Sequence, residues 1–241
     1  MDVRVVVAPV FGTNCCVVTA DAERPDGRRD CVVVDAGAGT VGGVLRLVEE
    51  HDLVPQAVLA THGHVDHTWD AAAVCETFGV PLRLHEADAY RVADPFGTIG
   101  LGSDEGPVAA VSEALTQALT DFGCTPRDYR APAWIEPFDG TAPQVVAGDV
   151  HLRALHAPGH TEGSTLFLVD GGARRGVVLS GDVLFAGGVG RTDLPGADVD
   201  AMLATLRGVV ASLDPALGVV PGHGPTTTVG HELATNPFLG G

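Results

Sequence analysis

Thr61-His62-Gly63-His64-Val65-Asp66-His67 is the stretch on which the reading of this chain turns. The apolar run Ala57-Val58-Leu59-Ala60 leads into it, and a helix-like stretch, Thr68 to Phe78, leads away. In an extended segment side chains repeat every two residues, so His62 and His64 stand on one side. Asp66 and His67 come round on the following turn. Neutral imidazole is the commonest metal ligand, and carboxylate is its usual companion at hydrolytic zinc sites. Strand, polar turn and helix together predict a metal site at the mouth of a core strand, with room for a second ion.

Three later stretches each place one metal-competent side chain at the end of an apolar run or in a tight turn. His160 lies in Ala157-Pro158-Gly159-His160-Thr161, ahead of a strand at Thr165. Asp182 ends Val177-Val178-Leu179-Ser180-Gly181-Asp182, and His223 follows Val219-Val220 within Pro221-Gly222-His223-Gly224. A glycine beside each allows backbone to come close to a small, crowded site.

In chain order, the motifs around His62, His64, Asp66 and His67, then His160, Asp182 and His223, resemble those of the metallo-β-lactamase superfamily. The resemblance runs from Asn14 and Asp35 to the end of the sequence. It implies an α/β fold, the αβ/βα four-layer sandwich of the metallo-β-lactamase type, with residues 1–241 as a single domain. By that resemblance His62, His64 and His160 hold one metal ion, Asp66, His67 and His223 hold a second, and Asp182 bridges them. The implied cofactors are two divalent ions per chain, zinc first, with iron or manganese as alternatives. Asn14 and Asp35 would support the ligands through hydrogen bonds.

Within the superfamily, Gly181 to Pro195 and the ending Gly222 to Leu239 are similar to the short glyoxalase II-like, hydroxyacylglutathione hydrolase-related enzymes of bacteria. That likeness implies hydrolysis of a small-molecule thioester or ester, S-lactoylglutathione being the reference substrate. Two departures bear on glutathione as the natural thiol. Arg191 and Thr192-Asp193 stand where those enzymes have a Lys/Tyr pair, and the sequence stops at Gly241, where full-length glyoxalase II continues into a basic helical segment.

The chemistry needs a nucleophile at neutral pH, and no Ser or Cys here sits in a nucleophile motif. Zinc lowers the pKa of bound water from about 15.7 to roughly 7. The expected reaction is attack on the carbonyl by a hydroxide bridging the two ions, with Asp66 as the catalytic group that orients it. A thiolate leaving group, with a pKa of about 8.5, needs no dedicated acid. Arg191 is a candidate for a substrate carboxylate, and a structural ion pair with Asp193 is the competing assignment. His156 is a candidate partner of the site or a partly buried structural residue; His51, His85, His151 and His231 read as surface or cap residues, and Trp69 and Asp70 as packing or capping groups.

Composition narrows the classes. With 45% hydrophobic and 19% charged residues, the 241-residue chain can bury a sizeable core and is not mainly disordered. The net charge is −17 and all 14 basic residues are arginine, so a phosphate backbone is repelled and nucleic acid is not an expected partner. No run approaches the about 20 apolar residues of a membrane span. Val5 to Val10 lacks a secretory pattern. Cys15, Cys16, Cys31, Cys75 and Cys124 are odd in number without a CxxC pair, which points to a reducing, cytoplasmic setting. Nothing fixes an oligomeric state.

Strands are expected at Val3 to Val10, Cys15 to Ala20, Cys31 to Asp35, Pro81 to His85, Gln144 to Val146, Leu152 to Leu155, Thr165 to Val169, Gly176 to Leu179 and Gly218 to Pro221. Helices are expected from a Thr40 cap to Glu50, over Val108 to Phe122, and from an Asp198 cap to Leu213. Ala93 to Pro107 reads as a long loop, a lid or a plain insertion. Two facing sheets with helices outside follow. The nearest rival function is a persulfide dioxygenase, which shares HxHxDH but uses one iron held by two His and one Asp; a lactonase and a non-catalytic metal scaffold are the others.

Overall fold

Alternation along the first strands sorts their side chains onto two faces. Val32 and Val34 pack into one buried cluster while Val33, between them, packs into another. Ala57 and Leu59 divide from Val58 and Ala60 in the same way. A strand buried on both faces reads as a continuous apolar run, which is how these stretches look in the sequence. The computed structural model describes residues 1–101, 106–140, 144–172 and 175–239.

Strands β1 (Asp2–Val7), β2 (Asn14–Thr19), β3 (Arg29–Val34), β4 (Leu53–Leu59) and β5 (Leu82–Arg83) form one sheet in sequential order. The first three are antiparallel, and β3, β4 and β5 run parallel. Helices α1 (Val41–Glu50), α2 (Val65–Thr68) and α3 (Ala71–Phe78) are interleaved with them, followed by α4 (Ala89–Ala93) and α5 (Gly106–Asp121). The second sheet draws on β6 (Gln144–Ala147), β7 (Val150–His156), β8 (Thr165–Val169) and β9 (Val177–Gly181), with β12 (Gly218–Pro221) and β13 (Thr227–Thr228) beyond them. Its order among the described residues is β13-β12-β9-β8-β7-β6. A small ribbon of β10 (Leu184–Phe185) and β11 (Gly188–Val189) and helices α6 (Val199–Gly208) and α7 (Val229–Thr235) complete the chain.

The two sheets meet face to face. Val18, Val34 and Leu59 of the first share a cluster with Leu152, Phe167 and Leu179 of the second. Val44 of α1 and Val74 of α3 cover the first sheet's outer face, and Met202 and Leu206 of α6 cover that of the second. This is the expected αβ/βα sandwich.

Several boundaries differ from the sequence reading, for identifiable reasons. The first strand stops at Val7 because Phe11 and Gly12, both at positive φ, turn the chain before Asn14. The His turn itself closes into α2, and the stretch after it becomes helical again only at Ala71 as α3; between them the Asp70 amide donates to Ala36 O at 2.8 Å. The last long helix ends at Gly208 and tightens into a 3-10 turn over Val210–Ser212. Asp198 caps it as expected, accepting from the Ala201 amide at 2.9 Å. The segment 93–107 contains a 3-10 turn, Gly97–Ile99, and α5 already starts at Gly106; residues 102–105 lie outside the described residues.

Thr40 does not cap α1 with its side chain, which instead donates to Gly37 O at 2.7 Å. Asp70 does so from 29 residues away: one oxygen accepts from the amides of Thr40 at 2.8 Å and Val41 at 3.2 Å. Loss of an N-terminal helix cap costs about 1–2 kcal/mol. Asp70→Ala is therefore expected to lower Tm by roughly 2–8 °C in a chain of this size. An unchanged melting curve by circular dichroism would show that α1 does not depend on this cap.

Candidate metal centre

Parallel pairing brings the ends of four strands to one edge. β3 and β4 run together with Val34 opposite Leu59, so Asp35 emerges beside Thr61. Asp35 has φ +58°, a conformation that costs about 1–2 kcal/mol for a residue with a Cβ. Its carboxylate accepts from the Thr61 amide at 2.7 Å and the Thr61 hydroxyl at 2.8 Å. Two hydrogen bonds to a buried charge, at about 1.5–3 kcal/mol each, outweigh the strain. The same carboxylate lies 3.0 Å from His67 Nδ1.

In the second sheet β9 and β12 run parallel with Pro221 opposite Gly181, which sets Asp182 beside His223. The Gly222 amide donates to Gly181 O at 2.7 Å. A Cβ at Gly222 would collide with the Asp182 carboxylate and the His67 ring, so only glycine fits. His160 sits in the turn joining β7 to β8. Stitches cross between the sheets: Thr165 N donates to Thr61 O at 2.8 Å, and Asn14 N to Gly222 O at 2.7 Å. The Asn14 side chain donates to Pro221 O at 2.9 Å and Gly224 O at 3.0 Å, bracing the loop that carries His223. Thr13 Oγ1 donates to Asp66 O at 3.0 Å.

These supports bring seven side chains together: His62, His64 and His160; His67 and Asp182 beside His62; and Asp66, His67 and His223. Within each of these three groups the ligand atoms lie within 4.8 Å of one another. His64 Nδ1 is 3.1 Å from His62 Nε2 and 2.9 Å from His160 Nε2. His67 Nε2 is 3.2 Å from His223 Nε2 and 3.3 Å from Asp182 Oδ1. Asp66 Oδ2 is 3.1 Å from His223 Nε2. Asp182 Oδ2 stands 3.7 Å from His160 Nε2 and 3.6 Å from His223 Nε2, so this carboxylate faces both halves.

The tautomers follow from the outer partners. His160 Nδ1 is 2.9 Å from Arg191 O, and His223 Nδ1 is 3.0 Å from Phe11 O. A carbonyl only accepts, so each Nδ1 carries the proton and each Nε2 turns a lone pair inward. The Asp35 carboxylate, 3.0 Å from His67 Nδ1, acts on that ring as a charge rather than through a hydrogen bond. Buried lone pairs facing one another at about 3 Å repel unless a cation lies among them. Asp182 Oδ1 is also buried without a hydrogen-bond partner among the described residues. Imidazole nitrogens and carboxylate oxygens without thiolate form a donor set that suits zinc, iron or manganese.

Charge is not uniform across the cluster. Burial, then the neighbouring imidazoles, hold His62 well below the ordinary histidine range, in the neutral ligand form. Burial would lower His67 too, but Asp35, Asp66 and Asp182 outweigh it and raise its pKa. Burial would raise Asp66, yet His67 and His223 hold it below the usual carboxylate range; Asp182 is held down similarly, by His67 first.

Other sequence candidates land elsewhere. His156 is exposed, with Nε2 2.8 Å from Glu162 O, and does not reach the cluster. His85, expected at the surface or as a cap, is buried and does cap: its Nδ1 accepts from the Ala87 amide, and its ring stacks on His156 at 4.1 Å between centroids. Arg191 gives Nε and Nη2 to Asp193 at 2.6 and 3.0 Å. Trp69 packs with Val65, Leu115 and Leu119.

The residue that sequence reading missed is Asp88. Its carboxylate, fully buried, accepts from Gly63 N, Thr161 Oγ1 and Gly163 N, each at 2.7 Å. It therefore ties the turn of His62 and His64 to the turn of His160. Arg91, also buried, lies with Nε 3.5 Å from Asp88 and donates to Glu162 and to Pro195 O. An Asp and an Arg three apart among apolar neighbours were the available signal.

Comparison with known proteins agrees with this geometry. The model of the Metallo-beta-lactamase superfamily matches residues 8–223. The chain is 36% identical over 236 residues to the uncharacterized protein Rv2581c of Mycobacterium tuberculosis, covering 97% of this chain and 96% of that one. It is 29% identical over 241 residues to the hydroxyacylglutathione hydrolase GloC of Haemophilus influenzae, covering 99% and 98%. The crystal structure of TTHA1623 in a di-iron-bound form superposes with a TM-score of 0.71 at 31% identity, covering 98% of this chain and all of that one. With sandwich, motif order and clustered ligands in agreement, this chain belongs to the metallo-beta-lactamase superfamily.

Proposed function

We propose that this chain is a binuclear metal-dependent hydrolase of thioesters and related esters. The observation that carries the reading is the double convergence of lone pairs and ionised carboxylates at one sheet edge. His62, His64 and His160 would hold one ion, Asp66, His67 and His223 the other, with Asp182 between them. Zinc is the first candidate; the di-iron form of a structural relative supports iron as an alternative. Such ions, when bound, acidify water to a pKa of about 7 and polarise a carbonyl.

The chain's own groups do the rest. The Asp66 carboxylate, held ionised by His67 and His223, accepts a hydrogen bond from the attacking water and aims its oxygen at the acyl carbon. A C–O bond forms and the C–S bond breaks with its electron pair going to sulfur, giving a carboxylate, a thiol and a proton. Carbonyls of Phe11 and Arg191 keep the His223 and His160 rings in place throughout. Four of the five cysteines are poor nucleophiles: burial pushes the Cys31 and Cys75 thiols up to about 12 and raises those of Cys15 and Cys16 as well. The relative named hydroxyacylglutathione hydrolase supports thioesters as the substrate class. Five free cysteines, four of them buried, fit a cytoplasmic setting.

The test is elemental analysis of the isolated protein, followed on the same sample by assays on S-lactoylglutathione and on thioesters of an uncharged thiol. The expected result is about two zinc, iron or manganese ions per chain with turnover that a chelator abolishes. A single iron with oxygen uptake on a persulfide would overturn it in favour of a dioxygenase. Two ions with no turnover on any thioester, ester or lactone would leave a metal scaffold.

A further inference from the structure

A cavity of about 250 Å³ opens directly from the cluster, with His64, Asp66, His160 and Asp182 among its lining residues. Its walls are apolar. Phe11, Val65, Ile99, Val111, Leu115 and Leu194 supply them, from the turn after β1, from α2, from the 3-10 turn Gly97–Ile99, from α5 and from the segment before α6. On α5 the lining positions are Val111, Ala114 and Leu115, the i, i+3, i+4 set that forms one helix face. Leu115 of that face and Ile99 of the 3-10 turn are each 4% exposed and pack with Val10, Trp69 and Leu119, while Val111 is half-buried and Ala114 exposed. Ala114 leaves the wall thin at one point.

The electrostatics of the lining are as informative as its shape. Arg191 is the one cation among the described lining residues, and its Nε and Nη2 already serve Asp193. The chain as a whole carries −17. Apart from the ions proposed at its base, the lining offers a thiol bearing two or more negative groups, whether carboxylates or phosphates, no free counter-charge, and the chain's net charge repels it over a longer range. Aliphatic surface, by contrast, is favoured at about fourfold per methylene removed from water. At a water-sized share of about 30 Å³ per group, the cavity holds roughly eight non-hydrogen atoms.

We propose that the site selects esters and thioesters by an uncharged aliphatic acyl chain of roughly six to eight carbons, and disfavours multiply anionic thiols. The inference rests on the hydrolase reading above. The acyl carbonyl lies against the metal-ligand cluster, the chain extends along α5 towards Leu115, and the thiol half points out past Phe11.

The test uses the metal-loaded protein with acetyl, butanoyl, hexanoyl, octanoyl and dodecanoyl thioesters, each on N-acetylcysteamine and on glutathione. The expected kcat/KM rises at least tenfold from acetyl to hexanoyl or octanoyl and falls again at dodecanoyl. For each acyl group the uncharged thiol is favoured at least tenfold over glutathione. Independently of turnover, octanamide binds at least tenfold more tightly than acetamide by calorimetry. Ala114→Phe, checked for unchanged metal content, lowers the octanoyl-to-acetyl ratio at least tenfold. A flat acyl profile together with equal amide binding overturns the pocket assignment and leaves the hydrolase standing. Preference for glutathione overturns the charge argument. Absence of turnover on every substrate with two ions bound removes the hydrolase reading, and this one with it.

Discussion

Asp182→Ala is expected to reduce bound metal from about two ions per chain to one or none, and to lower thioester turnover by about a thousandfold. The structure gives the reason. Oδ1 stands 3.3 Å from His67 Nε2, and Oδ2 reaches towards His160 and His223, so one carboxylate serves both groups of imidazoles. Removing it withdraws a negative charge from between the two proposed ion positions and leaves the inward lone pairs to a weaker field. A metal's stabilisation of developing charge is worth several kcal/mol; at about 1.4 kcal/mol per tenfold, three decades follow. The fold is expected to survive, because Asp182 is partly exposed and the parallel pairing of β9 with β12 is made by backbone. Elemental analysis, far-ultraviolet circular dichroism and the thioester assay check all three parts. Two ions retained per chain would show that Asp182 does not bridge them.

Asp88→Ala should be the most destabilising single change outside the hydrophobic core. It strands the buried amides of Gly63 and Gly163, leaves the Thr161 hydroxyl with Ser164 Oγ alone, and removes a countercharge from buried Arg91. Breaking a buried charge pair by deleting one partner costs about 3–5 kcal/mol. That corresponds to a Tm lowered by roughly 6–20 °C. Asp88→Asn, which keeps the shape and one acceptor, is expected to fall between the two. Calorimetric melts of the three proteins measure this, and a shift below about 2 °C for the alanine variant would refute the assigned role.

What the sequence made legible and what it hid divide along a physical line. His62, His64, Asp66 and His67 were readable because their spacing alone implies a turn that converges. His160, Asp182 and His223 each read alone as a glycine-flanked turn, and only the order of motifs that resembles the superfamily joined them to the site. The Gly222 contact shows why the glycine belongs there. Asp88 gave no such signal, because its partners are 25 and 75 residues away in the chain and a buried acceptor looks like any helix-start aspartate. Asp70 was misplaced for a related reason. A helix N-terminus needs an acceptor, and local sequence suggested Thr40, while the fold supplied one from 29 residues away. His85 and His156 were separated in the reading and stacked in the structure, since β5 and β7 are brought near each other only by sheet docking.

The stitches between the sheets have a topological consequence. His67 and His223, 156 positions apart, meet only when both halves of the sandwich are docked. Closing a loop of that length costs about 4–5 kcal/mol of chain entropy by the logarithmic rule. An ion held by both residues, as proposed above, would act as a clasp across the molecule: part of the donors' intrinsic affinity would offset loop closure, so the tightness of binding and the docking of the two sheets would rise and fall together.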